Sequence, residues 1–261
     1  MSDAPPSPFV LCERKGMVAV LTLNRPNAFN AFNANLRSEL LRAIEAIEAD
    51  DAIRVVVLRG SGSGFCAGAD LAEGFPEPVS EQIEREYKPF LTAIVESRKI
   101  YIAQVHGTAA GIGAALAMSC DLMTMAEDAS IYMAFAAVAL VPDGGNTWFL
   151  LRAMGYARAL AAIVEGARIP ASDCLSFGIA NRLASPGDLE AETRSWAERL
   201  AQGAPLAMSA AKRLLRTSGL RPLAEVISLE AQEQNALTIS QDCQRGIAAF
   251  RARSRPVFEG T

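Results

Sequence analysis

The sequence predicts an α/β core followed by a helical C-terminal section. Two observations carry that prediction. A short apolar strand, a glycine-rich turn and a helix start occur together twice, in "RVVVLRGSGSGFCAGADL" (54–71) and "YIAQVHGTAAGIGAALAM" (101–118). Beyond about residue 186 the apolar spacing turns helical. Composition agrees: 51% of the 261 residues are apolar and 21% charged, the balance of a chain that buries a sizeable core.

The elements follow in order. Residues 9–14 and 17–23 alternate in polarity around Lys15 and Gly16, which reads as a hairpin. Leu36, Leu40, Ile44 and Ile47 recur at helical spacing, with Asn33 or Asn35 placed to cap. "RVVVL" (54–58) is a short buried strand. Pro76, Pro78 and "SEQIEREYK" describe a mobile loop over 74–90 that leads into a helix. "YIAQV" (101–105) is a second buried strand, and the glycines after it run into a small-residue helix. "LMTMA" (122–126) and "SIYMA" (130–134) fit further short strands. The apolar stretch 105–125 is interrupted by Gly107, Gly111, Gly113 and Asp121, so strand–helix–strand explains it better than a membrane span. C-terminal helices are predicted at 188–202, 205–217, 222–240 and 242–252.

Several function classes recede on composition. The formal charge of −4 argues against a general nucleic-acid binder. The basic runs at 211–222 and 251–256 read first as solvated helix faces. Five cysteines at 12, 66, 120, 174 and 243 show no C-x-x-C spacing, which suits reduced thiols in a cytoplasmic protein. "MSDAPPSPF" lacks the basic and apolar regions of a signal peptide. His106 is the only histidine, so multi-histidine metal sites are excluded and no metal is expected. A Ser–His–Asp triad would have to use that one residue, which reads as a turn residue at a strand end.

The two glycine turns pose a chemical question. A phosphate loop needs Lys and then Ser or Thr after its last glycine, whereas Gly68 is followed by Ala69 and Asp70. Helix starts nevertheless present free N–H groups and a positive dipole end. One such turn is explained by close helix–sheet packing; two together point to a pair of donors for a developing oxyanion.

At these residues the sequence resembles the enoyl-CoA hydratase/isomerase family, the crotonase superfamily. The ordered motifs are "LNRPNAFNAFN" (23–33), "GFCAGADL" (64–71), "VHGTAAGIGAALAMSCDL" (105–122) and "LVPDGG" (140–145). The resemblance implies a spiral of ββα units over residues 1–200 that holds an acyl-CoA thioester. It further implies a helical oligomerisation region over 201–261, forming a homotrimer or a dimer of trimers. Coenzyme A enters as part of the substrate, with no separate cofactor. Carried across by position, the oxyanion donors are the N–H groups of Ala69 and Ile112, in turns that include Gly68 and Gly111. Ile112 is bulkier than the glycine or small residue usual there. Contacts to the CoA nucleotide fall to Arg25, Ala28 and Ala67, with Arg251 or Arg255 as candidates for phosphate contacts, and Asp70 and Leu71 lie near the thioester.

The departures bear on the reaction. The two glutamates that handle water in a typical hydratase of this family are matched here by Ala115 and Phe135. Neither exchanges a proton. One carboxylate stands at a position where certain isomerases of the family carry an acid: Asp143, in "VPDGGN". The "PDGG" wording resembles ring-1,2-epoxyphenylacetyl-CoA and Δ3,Δ2-enoyl-CoA isomerases. The resemblance thus implies double-bond migration with Asp143 as base. The alternatives are an atypical hydratase and a non-catalytic acyl-CoA-binding relative. From local sequence alone Asp143 is equally a cap for a helix starting near Asn146. Asp70 reads as a cap, Asp121 as structural, and Glu73, Glu165 and the acids of 81–86 as surface groups. Phe75, Met133, Phe135 and Trp148 are candidates to line the acyl pocket, with core packing as the competing role.

Overall fold

The computed structural model describes residues 7–261, so the first six residues of "MSDAPPSPF" lie outside the described residues. Strands β1 (Val10–Lys15) and β2 (Val18–Leu23) form the antiparallel hairpin, and β3 (Val55–Gly60) and β4 (Ile100–Val105) continue the sheet in parallel. The small sheet holds β5 (Thr108–Ala110), β7 (Ser130–Tyr132) and β8 (Arg168–Pro170). The large sheet ends with β6 (Leu122–Ala126) and β9 (Arg182–Ala184), giving the order β1-β2-β3-β4-β6-β9. Twice the chain advances by one strand in each sheet and then a helix: β4, β5 and the helix Ile112–Ser119, then β6, β7 and the helix Asn146–Val164. This is the ββα spiral.

Helix α1 (Ala34–Glu48) starts where Asn33 Oδ1 accepts the Leu36 N–H at 2.9 Å. Its Leu36, Leu40, Ile44 and Ile47 join the main core with Val56, Leu58, Tyr101 and Ala103. β3 and β4 are buried on both faces, as parallel strands require: Val55, Val57 and Ile102 meet Trp196, Ala197 and Ala201 of a later helix on the other side.

The 74–90 segment departs from the predicted loop. From Val79 it is helical: α2 (Val79–Gln82), a π-helical turn Ile83–Tyr87, then α3 (Lys88–Glu96). The prolines end before the helix begins, with Pro78 at its N-cap, so they do not oppose it. Helix α4 (Ile112–Ser119) is buried at every position, and α5 (Asn146–Val164) is two segments broken at Gly155. Residues 168–184 add β8, α6 (Ala171–Ser176) and β9, pieces too short to show a period in sequence.

The C-terminal helices are α7 (Leu189–Ala201), α8 (Pro205–Ser218), α9 (Leu223–Thr238) and α10 (Gln241–Ala252). The basic run at 211–222 is not a wholly solvated face. Lys212 Nζ is buried and donates to Asp121 Oδ2 at 2.8 Å, while Arg216 donates to Asp121 Oδ1 at 3.0 Å. These pairs key α8 to the end of α4. Helix α9, by contrast, buries none of its residues. No helix among the described residues is long and apolar enough to cross a membrane.

Candidate active site

The strip Phe65–Asp70 runs between residues 29–32 on one side and 106–110 on the other. Phe65 and Cys66 N–H groups donate to His106 O and Thr108 O, and those of Ala67 and Asp70 to Phe29 O and Phe32 O. The Ala69 N–H donates to no acceptor among the described residues. Neither does that of Ile112, the first residue of α4, where helix geometry leaves the N–H groups unsatisfied. The two turns are in contact. Gly68 has φ of +99°, and a Cβ there would lie 2.9 Å from Ala110 O and 3.7 Å from Ile112 N. Only glycine allows that approach.

Asn30 locks the first turn from beneath. It is buried, and its Nδ2 faces Ser61 O, Gly64 O and Phe65 O at 2.8, 2.9 and 3.2 Å, while Oδ1 accepts the Arg25 N–H. Its φ of 57° is one that asparagine tolerates better than most residues. Cys66 Sγ contacts Asn30 O, and burial pushes its thiol up to about 12, so it is no nucleophile at neutral pH.

Asp143 approaches from the opposite wall. The Asp143–Gly144 turn packs on Ile112, Ala115 and Leu91. Asn146 holds it there, with Nδ2 donating to Asp143 O at 2.9 Å and to Gly111 O at 3.0 Å. Asp143 is not a helix cap: α5 begins at a Gly145 N-cap without a side-chain bond, and Asp143 Oδ1 is buried with no partner. Burial pushes its carboxyl above the usual carboxylate range, with its own backbone N–H opposing. Phe135 lies over the second turn, with its ring edge 3.8 Å from where a Cβ on Gly111 would be.

The remaining candidates divide. Arg25 and Ala28 border one small cleft, and Ala67 is tied to Phe29 just beside it. The Arg25 guanidinium is paired inward, with Asp70 Oδ2 at 3.0 Å, and Asp70 Oδ1 also accepts the Ala72 N–H as the cap of the short turn Leu71–Glu73. Leu71 is exposed at that turn. Trp148 is not brought into the group. It sits in a separate cleft with Met118, Asp121 and Arg216, stacked against Arg152. Phe149 is the residue of α5 that meets Gly145, and the next position on a helix is turned about 100° away. Glu73 and Glu86, read as surface groups, both pair with the buried Arg37. His106 occupies the predicted turn, with Nε2 3.0 Å from Gly62 O. Arg37, Asn30, Tyr87 and Asn146 were not singled out from sequence. Only the two asparagines carried a signal, a polar amide beside a glycine-rich or proline-rich turn.

Residues 13–261 match the family described as Enoyl-CoA hydratase/isomerase. The chain belongs to that family. A probable enoyl-CoA hydratase of Rhodobacter capsulatus is 36% identical over 245 residues, covering 93% of this chain and 95% of that protein. The 1,2-epoxyphenylacetyl-CoA isomerase of Escherichia coli is 32% identical, covering 97% and 98%. The fold is that of an enoyl-CoA hydratase structure from a Polaromonas species, with TM-score 0.91, 30% identity and 96% and 99% covered. As a member of the enoyl-CoA hydratase/isomerase family this chain is a crotonase-fold enzyme of acyl-CoA chemistry, whether hydratase or isomerase.

Proposed function

We propose that this enzyme is an acyl-CoA isomerase that shifts a double bond from Δ3 to Δ2, with Asp143 as the single base. The observation that carries the reading is the desolvated, unpartnered carboxylate of Asp143 on a turn that packs directly on Ile112 and Ala115. In this reading the thioester oxygen sits between the Ala69 and Ile112 N–H groups. Asp143 takes a proton from C2, which both the thioester and the alkene acidify. The charge moves onto the oxygen, where preorganised donors at a helix N-terminus stabilise it. The protonated Asp143 then returns the proton at C4, and its raised affinity for a proton suits both halves of the transfer.

Water addition is supported less well. Ala115 and Phe135 offer no acid or base, and the Asp143–Gly144 turn already fills the space against Ala115. Relatives named as hydratases make it the competing reading. The test gives purified protein 3-enoyl-CoA and 2-enoyl-CoA separately. Conjugated-thioester absorbance should grow with the first and persist with the second. Asp143→Asn should lower isomerisation by about 10²–10⁴-fold, abolish C2 exchange with deuterated solvent and leave acyl-CoA binding largely intact. A variant that still exchanges at the wild-type rate would show that another acid carries the proton, with Asp70 next to test.

We further propose that the Arg25–Ala28 cleft with Ala67 meets the CoA nucleotide, and that the unburied α9 face is covered by copies of this chain in a trimer or dimer of trimers.

A further inference from the structure

Tyr87 stands between the two walls of the site. It closes the π-helical turn Ile83–Tyr87, an irregularity often found at functional positions. Its ring is edge-on to Phe32 at 5.9 Å, and Phe32 N–H donates to Gly68 O, which ties it to the first oxyanion turn. One helical turn on, Leu91 packs against Gly144, beside Asp143. Tyr87 is the N-cap of α3, and the i to i+4 spacing sets it beside Leu91 along the continuous helical stretch.

The side chain is buried, with 3% of its surface exposed; Arg37 donates toward its hydroxyl oxygen, while its O–H meets no acceptor among the described residues. Unlike the Tyr101 hydroxyl, it is not sealed inside the core. The nearest charged neighbour is Arg37, whose guanidinium carbon lies 5.4 Å from the ring centroid. Arg37 is committed to Glu73, Glu86 and Phe32 O. A guanidinium only donates, so it cannot take the phenol hydrogen. Burial and the Asp143 carboxylate push the phenol up to about 12 against the pull of Arg37, so it stays a neutral O–H donor. The protein leaves that O–H without an acceptor, and a bound molecule that displaces water from it must supply one or lose a hydrogen bond. The thioester oxygen is already claimed by Ala69 and Ile112 in the reading above.

We propose that Tyr87 is a specificity-determining residue whose hydroxyl donates to an oxygen substituent of the acyl group, so that this site favours oxygenated acyl-CoA thioesters over plain hydrocarbon ones. The inference rests on the placement of the acyl group beside Asp143, and its test needs no turnover.

The full-length wild type and Tyr87→Phe are titrated by calorimetry with unreactive saturated thioesters: hexanoyl-CoA and its 4-, 5- and 6-hydroxy counterparts. Wild type should bind at least one hydroxy compound about tenfold more tightly than hexanoyl-CoA. Tyr87→Phe should erase that preference and hold hexanoyl-CoA within about twofold, because the ring still packs on Phe32. Absence of a hydroxy preference in wild type overturns the proposal, as does a preference that survives in the variant. Equal loss for all four ligands overturns it too, since that marks a structural role. Asp143→Asn, titrated in parallel, should keep the preference. Failure of the Asp143 assignment would appear instead as continued isomerisation by that variant, and failure of the isomerase reading as no conjugated thioester formed by wild type from 3-enoyl-CoA.

Discussion

Gly144 and Ala115 stand so close that a β-carbon on the glycine would lie 2.9 Å from the alanine methyl, with Ile112 Cδ1 nearer still. Gly144 has φ of +60°, a conformation that side chains resist. Gly144→Ala should therefore destabilise the fold by about 1–3 kcal/mol, from strain and overpacking. It should also displace Asp143 and lower turnover of 3-enoyl-CoA by about 10²-fold, the usual cost of misplacing a reacting group by about 1 Å. Urea denaturation and steady-state kinetics separate the two effects. A stable variant with undiminished rate would show that catalysis does not depend on this turn.

Acid pH should act on the rate through Asp143. A base must be ionised, and burial raises its carboxyl above the usual range. The acid limb of kcat/KM should therefore fall at a pH above that of a free carboxylate. Stability runs the other way. A folded-state value raised above the unfolded one gives stability that is full below the unfolded pKa and is lost as pH rises through the folded pKa. At neutral pH the ionised Asp143 thus costs stability. Asp143→Asn should melt higher than wild type at pH 7, and the gap should close on acidification. A gap independent of pH would assign it to something other than the Asp143 charge.

Lys212 secures the C-terminal helices to the core. Its Nζ donates to Asp121 Oδ2, Ile94 O and Lys99 O at 2.8, 2.9 and 3.0 Å. Lys212→Met leaves Asp121 and two carbonyls short of a donor, and removing one partner of a buried pair typically costs about 3–5 kcal/mol. Asp121 lies just past the far end of α4 from Ile112. The folded fraction should therefore keep its kcat while the denaturation midpoint drops. A loss of kcat with an unchanged midpoint would place Lys212 in the reaction instead.

The C-terminal helices need a partner surface. Leu223, Ile239 and Phe250 are 75%, 81% and 86% exposed, more apolar surface than an isolated chain retains without cost. Sedimentation at micromolar concentration should give a trimer or a dimer of trimers, and a monomer would remove the idea. Arg251 and Arg255 are exposed in the same region. Charge reversal there should weaken CoA binding, most at low salt. Equal affinity at low salt would leave CoA phosphates to other residues.

What the sequence by itself determined is local. The two glycine turns, the Asn33 cap, the buried strands "RVVVL" and "YIAQV" and the C-terminal helices follow from steric freedom, hydrogen-bond demand and apolar period, all of which act over a few residues. Asp143 was visible as a lone carboxylate beside glycines, but not whether it caps a helix or faces a site. Only the tertiary structure decided that, because the isolation of Asp143 Oδ1 depends on Leu91 of α3 and Ala115 of α4 arriving from two other places in the chain to pack on the turn that Asn146 holds. Trp148 was misplaced for a related reason: helix α5 could be read, but its rotation against α4 could not. Arg37, Glu73, Glu86 and Tyr87 had looked like charged surface and anonymous helix. Burial joins them, since an arginine withdrawn from water must collect its acceptors wherever the fold brings them.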